Sequence, residues 1–214
     1  MNIRVSRLHF PVTTLGPGER IGIWFQGCSI RCPGCISMDT WASTGGETTV
    51  DAVLAQARIW LPEAAGITIS GGEPFDQPEA LIMLLHGLRQ LSTGDILVYS
   101  GHAIESLADT LIRADGLIDA LISDPFDIDA PQTRPLRGSD NQRLHCLTSL
   151  GRARFAQYEH ASRNNGKALD VMFDEDGSVW FAGIPDRDDF QRLRDLLTDQ
   201  GHRVRISADK AKNR

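Results

Sequence analysis

Three of the four cysteines, Cys28, Cys32 and Cys35, fall within eight residues in a C-x3-C-x2-C arrangement. They sit in a stretch broken by Pro33 and Gly34 that follows the apolar run Ile21 to Phe25, so their thiolates can converge on one inorganic centre. A zinc ion normally takes four ligands, and a distant residue such as His145 or Cys146 would have to complete the set. A disulfide would leave one thiol of the cluster unpaired. A [4Fe–4S] cubane held by three thiolates suits the count better, because its fourth iron keeps an open position of the kind that catalytic metal sites use. Gly27, Ser29 and Gly34 stand where backbone N–H groups could reach the sulfurs, and Trp24, Phe25 and Ile36 where side chains could limit water.

The elements around this loop read as alternating strands and helices. Two strands flank the turn Gly16-Pro17-Gly18 within residues 1 to 27, and the cysteine loop follows the second. Thr49 is placed to cap a helix over 50 to 61, with Val50, Val53, Leu54, Ala57 and Leu61 at helical spacing. A strand over 67 to 70 runs into Gly71-Gly72-Glu73-Pro74. A helix over 78 to 91 carries Leu81, Leu84, Leu85, Leu88 and Leu91 on one face; the strand 96 to 100 and Gly101, a helix over 103 to 114 and a strand over 117 to 122 follow. This order predicts an α/β fold with a parallel sheet, in which ligands bind beyond the carboxyl ends of the strands. Gly71-Gly72-Glu73-Pro74, Ser100-Gly101 and Asp124-Pro125-Phe126 all stand at such ends.

Beyond residue 122 an irregular stretch ends in Arg137-Gly138-Ser139-Asp140-Asn141-Gln142-Arg143, a candidate active-site loop by its length. Cys146 reads as a core thiol in a buried strand. From about 150 the pattern changes to a hairpin over 168 to 182 with its turn at 174 to 177, a helix over 186 to 200 and a last strand from His202 to Ile206. The expected division is residues 1–149 as the main unit and 150–214 as a small ββαβ extension.

The chain has 214 residues, 41% of them hydrophobic, and a net charge of -6. That balance provides no basic excess to neutralise phosphates, which argues against nucleic-acid binding; the basic residues Lys210, Lys212 and Arg214 read as a solvated tail. No apolar run is long enough to span a bilayer, and residues 1 to 10 lack the apolar stretch of a signal peptide. With clustered thiols in place of a disulfide framework, the expected location is the cytoplasm.

The two motifs together resemble the radical S-adenosylmethionine (SAM) superfamily: Cys28, Cys32 and Cys35 match its cysteine signature, and Gly71-Gly72-Glu73-Pro74 after a strand matches its GGE motif. More narrowly, Gly16 to Arg20, Ile23 to Cys28, Cys32 to Cys35, Ser70 to Phe75, Leu97 to Gly101 and Arg137 to Arg143 resemble the activating enzymes of anaerobic (class III) ribonucleotide reductase, with a looser likeness to the pyruvate formate-lyase activating enzyme. The likeness covers roughly residues 15 to 147. It implies a partial (β/α) barrel with a mostly parallel sheet as the radical SAM core, to which residues 150–214 add a small α+β appendage.

The resemblance also implies the chemistry. Cys28, Cys32 and Cys35 would ligate the cluster, and the open iron would be chelated by the amino and carboxylate groups of SAM. A reduced cluster would pass one electron to the sulfonium, giving methionine and a 5′-deoxyadenosyl radical that takes hydrogen from the substrate. Gly34 and Ile36 would lie where the loop backbone nears adenine; Gly71 and Gly72 would allow close approach of the backbone, Glu73 would accept from the SAM ammonium group, and Ser100 and Gly101 would reach its ribose or carboxylate. The implied partners are SAM, a glycyl-radical protein to be activated, and flavodoxin or ferredoxin as electron donor. Two departures stand out: Asp124 replaces the glycine usual in the activators, and residues 150–214 with the turn Ala182-Gly183-Ile184-Pro185 have no assigned counterpart. Radical SAM chemistry on another peptide or small molecule, and a non-enzymatic zinc or iron–sulfur module, remain open alternatives.

Overall fold

A seven-stranded sheet carries the molecule, and the order of its strands follows from the βα alternation of the sequence. The computed structural model describes residues 1–160, 169–173 and 179–203. Strands β1 (Asn2–Val12) and β2 (Arg20–Phe25) form an antiparallel pair. β3 (Glu47–Thr49) pairs with the start of β1 and leads directly into α1 (Val50–Trp60), where the Thr49 hydroxyl accepts from the Ala52 N–H as an N-cap. β4 (Gly66–Gly71), α2 (Pro78–Leu91), β5 (Asp95–Tyr99), a 3-10 turn (Ile104–Leu107) continued by α3 (Ala108–Arg113), and β6 (Ala120–Ser123) repeat the unit. β7 (Arg143–Cys146) returns antiparallel to β6, and α4 (Ser149–Phe155) and α5 (Gln157–His160) follow. Beyond them lie the hairpin β8 (Leu169–Phe173) and β9 (Val179–Gly183), and α6 (Asp189–Asp199).

The sheet order is β3-β1-β2-β4-β5-β6-β7, with β2, β4, β5 and β6 parallel. This is the expected α/β class with a mostly parallel sheet. The expected helix over 103 to 114 is instead a 3-10 turn followed by a shorter helix, and β6 begins only at Ala120, because the Leu117 N–H turns back to the Ala114 carbonyl. The expected strand from His202 to Ile206, the hairpin turn at 174 to 177 and the basic tail lie wholly or largely outside the described residues. No helix of the described residues is long and apolar enough to cross a membrane.

Alternation along the strands gives the sheet two buried faces. Ile21, Ile23, Phe25, Ile67, Ile69, Ile96, Val98 and Leu121 face the helices, packing with Val53 and Ala57 of α1 and with Leu81, Leu84, Leu85 and Leu88 of α2. The second face is not left to solvent. Phe155 of α4 is fully buried there with Leu97, Ala120 and Ile122, while Trp24, Val12 and Leu15 pack with Met172, Trp180 and Ala182 of the β8–β9 hairpin.

One buried cation organises this second face. Arg20, 0% exposed, donates to Asp95 at 2.6 Å, to Thr68 and to the Ile67 carbonyl, and Arg154 of α4 reaches the same Asp95. A buried charge is tolerable only when paired and hydrogen-bonded in this way.

Candidate functional site

The four parallel strands end at one edge of the sheet, and the cysteine loop leaves the end of β2 there. Its entry is fixed by the backbone: the Gly27 N–H donates to the Thr40 carbonyl at 2.8 Å and the Cys28 N–H to the Trp41 carbonyl at 3.4 Å. The Ser29 N–H and hydroxyl both donate to Asp76, in the short 3-10 turn after β4. Two of the three amides expected to face the cluster sulfurs, those of Gly27 and Ser29, are therefore engaged elsewhere. The Arg31 N–H, not anticipated from sequence, points to the Cys28 sulfur at 3.5 Å.

All three thiols of the loop are free and partly exposed. Burial pushes the Cys35 thiol up to about 11, with Cys32 and Cys28 adding to the effect. Cys32 is raised chiefly by burial, opposed by a hydrogen bond from the Phe126 backbone, and raised further by Cys28 and Glu73. The three sulfurs and Glu73 thus share one neighbourhood, and ionising all three thiols together requires positive charge, which metal binding supplies while releasing the protons. The buried Trp41 indole N–H lies close enough to favour the Cys35 thiolate yet makes no hydrogen bond of good geometry, leaving a donor for a cluster sulfur. Among the described residues no three His, Cys, Asp or Glu side chains close tightly enough to hold a single ion. A cubane takes one thiolate at each of its irons, so three thiols suit three of its four irons. Cys146, on β7, is raised by burial and by Glu159, not by the loop cysteines.

The glycine pair ending β4 seats the loop. Gly71 has φ +104°, a region open to glycine, and a Cβ there would collide with the Phe25 backbone. A Cβ on Gly72 would collide with the Gly27 carbonyl, where the Gly72 and Glu73 amides bond to the Phe25 and Gly27 carbonyls at 2.9 and 2.8 Å. These glycines bring β4 against the root of the cysteine loop.

Glu73 is fully buried. Its carboxylate accepts from the Phe75 N–H, the Ser100 hydroxyl and the Gly101 N–H at 3.0, 3.0 and 2.8 Å. Burial raises its pKa, and these donors oppose the rise. Ser100 and Gly101 therefore hold Glu73, while Ile30 of the cysteine loop packs over Gly101. The structure brings Cys28, Cys32, Cys35, Gly71, Gly72, Glu73, Ser100 and Gly101 into one edge of the sheet. Gly34 faces Ile128 and Phe126, and Ile36 is 39% exposed. Trp24 and Phe25 do not screen the loop as expected: β2 directs them to the two cores, and Ile30, Phe126 and Ile128 stand in their place.

Most side chains of the 137 to 143 motif are engaged within the irregular stretch, while Arg137 donates to Glu159 of α5. Gln142 accepts from the Gly138 N–H and donates to the Asp124 carbonyl, Asn141 donates to the Pro125 carbonyl, and Ser139 accepts from the Asp127 N–H. Arg143 pairs with both Asp124 and Glu105. Sequence reading missed Asp76, whose only signal was an acidic residue three positions after Glu73, and His102, 3.5 Å from Asp76. It also missed Trp41, which no spacing marks.

Comparison with known proteins agrees with this geometry. Residues 14–145 match a family model described as a 4Fe-4S single cluster domain. The anaerobic ribonucleoside-triphosphate reductase-activating protein of Escherichia coli K12 is 30% identical over 151 residues, covering 65% of this chain and 96% of that protein. The protein of the same name from phage T4 is 26% identical, over 60% and 85%, and the pyruvate formate-lyase-activating enzyme of Clostridium pasteurianum is 29% identical, over 71% and 59%. Cysteine loop, strand-end glycines and matched length lead to one assignment: the chain belongs to the 4Fe-4S single cluster domain family, among its radical SAM activating enzymes.

Proposed function

We propose that this protein cleaves SAM reductively at a [4Fe–4S] cluster held by Cys28, Cys32 and Cys35, and that it activates a glycyl-radical protein of the anaerobic reductase type. The observation that carries this reading is the convergence of the three thiols, the buried Glu73 carboxylate and the ends of β4 and β5 at one edge of the sheet. When bound, the cluster supplies the electron that splits SAM into methionine and a 5′-deoxyadenosyl radical able to take hydrogen from a substrate.

The chain's own residues bind, orient and exclude water. Glu73, held by Ser100 and Gly101, would offer a fixed carboxylate to the SAM ammonium group, and Gly34 and Ile36 would contribute on the adenine side. Ser100 and Gly101 contribute mainly through Glu73, with the ribose or carboxylate of SAM as their further contact. Ile30, Phe126 and Ile128 limit water at the loop, which protects a reactive intermediate from quenching. The electron donor is a flavodoxin or ferredoxin, and a cytoplasmic setting suits thiols kept reduced.

The core of this activity is a partial (β/α) barrel over residues 1–149, with 150–214 as a small α+β extension. A second reading, the same chemistry on another peptide or small molecule, is favoured by that extension, which lies outside the matched residues 14–145. The deciding experiment incubates the reduced protein with SAM and a reductase-type partner. Methionine and 5′-deoxyadenosine with a glycyl radical signal on the partner support activation. Cleavage without that signal, with a competent partner, moves the assignment to the second reading.

A further inference from the structure

We propose that residues 169–173 and 179–187 form a built-in cover for the second face of the sheet and, through the 126–132 segment, hold down a roof over the cysteine loop. The proposal rests on the reading of that loop as the reacting site, but its geometry stands on protein contacts alone.

The hairpin is docked by one whole face. Asp170 pairs across the hairpin with Ala182 and Met172 with Trp180, and all four are buried. The Asp170 carboxylate accepts from the N–H and hydroxyl of both Thr13 and Thr14, at 2.7 to 3.1 Å, in the connection between β1 and β2. Trp180 meets Trp24 edge-on with ring centroids 5.2 Å apart, and the Arg7 guanidinium lies 4.2 Å from its ring. A carboxylate with four donors and an aromatic anchor between strands are the marks of specific docking, not of loose association.

The chain then passes from β9 to the irregular stretch beyond β6. Gln132 donates to the Pro185 carbonyl at 3.0 Å, and Arg187 donates to the carbonyls of Asp127 and Ala130. At the other end of that segment, Ile128 and Phe126 lie against Gly34: a Cβ on Gly34 would fall 2.6 Å from Ile128 Cδ1 and 3.4 Å from Phe126 Cε1. A series of contacts therefore runs from Trp180 and Asp170, through Pro185 and Arg187, to Phe126 and Ile128, which lie against Gly34 between Cys32 and Cys35. The match to the Escherichia coli relative covers 96% of that protein but only 65% of this chain.

Thiol alkylation of the cluster-free, full-length protein tests the roof directly, with each cysteine read separately by mass spectrometry. Trp180→Ala, and independently the surface pair Gln132→Ala with Arg187→Ala, should speed iodoacetamide labelling of Cys32 and Cys35 by about fivefold or more while leaving Cys146 unchanged, as local opening requires. Unchanged rates at Cys32 and Cys35 in the folded surface pair would overturn the proposal. So would an equal rise at Cys146, which would mean general loosening. Should Trp180→Ala fail to fold, the surface pair alone decides. The readout needs neither cluster nor SAM, so failure of the radical reading and failure of the cover are distinguishable.

Discussion

The carboxylate of Asp76 takes both the backbone N–H and the hydroxyl of Ser29, at 2.7 and 2.9 Å, and so pins the first gap of the cysteine loop to the turn that follows β4. Paired hydrogen bonds to a carboxylate at a partly exposed site contribute about 1 kcal/mol to ordering the loop. Asp76→Ala should therefore lose iron to a chelator roughly fivefold faster than the parent, since 1.4 kcal/mol corresponds to a factor of ten. Asp76→Asn, which keeps an acceptor, should fall between. Equal rates in all three proteins would show that the pin does not hold the ligands.

Two glycine substitutions separate backbone strain from collision. Gly45 has φ +88° with nothing within 4 Å of an added methyl, whereas Gly72→Ala would drive a methyl into the Gly27 carbonyl. Gly45→Ala should lose about 1 kcal/mol in urea unfolding from strain alone. Gly72→Ala should lose at least about 2 kcal/mol and fail to take up a full complement of iron, because β4 can no longer approach the loop. Normal iron content in a folded Gly72→Ala protein would contradict the close-approach argument.

Asp124 supplies the pH dependence. It adopts φ +82° and receives Arg143 at 2.7 Å and the Ser123 hydroxyl at 2.8 Å. The Arg143 guanidinium holds the Asp124 carboxyl below the usual range, and holds the exposed Glu105 down to about 2. A carboxyl whose folded pKa is depressed stabilises the fold above its ordinary pKa, and that stability is lost as the pH falls through the folded value. Asp124→Asn tolerates the same backbone and removes only the charge. Urea unfolding of the cluster-free protein should show it about 0.5–1 kcal/mol less stable at neutral pH, a difference discounted for solvent screening. The gap should close in strong acid; a constant gap would remove Asp124 ionisation as its cause.

Much of this was legible in the sequence because the signals were local. The leucine stripe from Leu81 to Leu88 and the Thr49 cap marked α2 and α1 through periodicity and hydrogen-bonding chemistry that act within one element. The cysteine spacing and the strand-end glycines marked the edge where β2, β4 and β5 meet. What escaped depends on contacts distant in sequence. Nothing local says that Ser100 holds Glu73, that Asp76 holds Ser29, or that Trp180 covers Trp24 from the far end of the chain. The 137 to 143 motif looked like a ligand loop because it is long and polar, yet its polar side chains are taken up by protein partners, Gln142, Asn141 and Ser139 within the irregular stretch and Arg143 by Asp124 and Glu105.

The central claim is that three thiolates hold a cubane whose open iron takes SAM, and anaerobic reconstitution followed by metal analysis and electron paramagnetic resonance measures it directly. The account predicts about four irons and as many sulfides per chain, a reduced-cluster signal that changes when SAM is added, and loss of that cluster in Cys28→Ala, Cys32→Ala and Cys35→Ala but not in Cys146→Ala. One zinc per chain, a signal indifferent to SAM, or loss of iron in Cys146→Ala would contradict it.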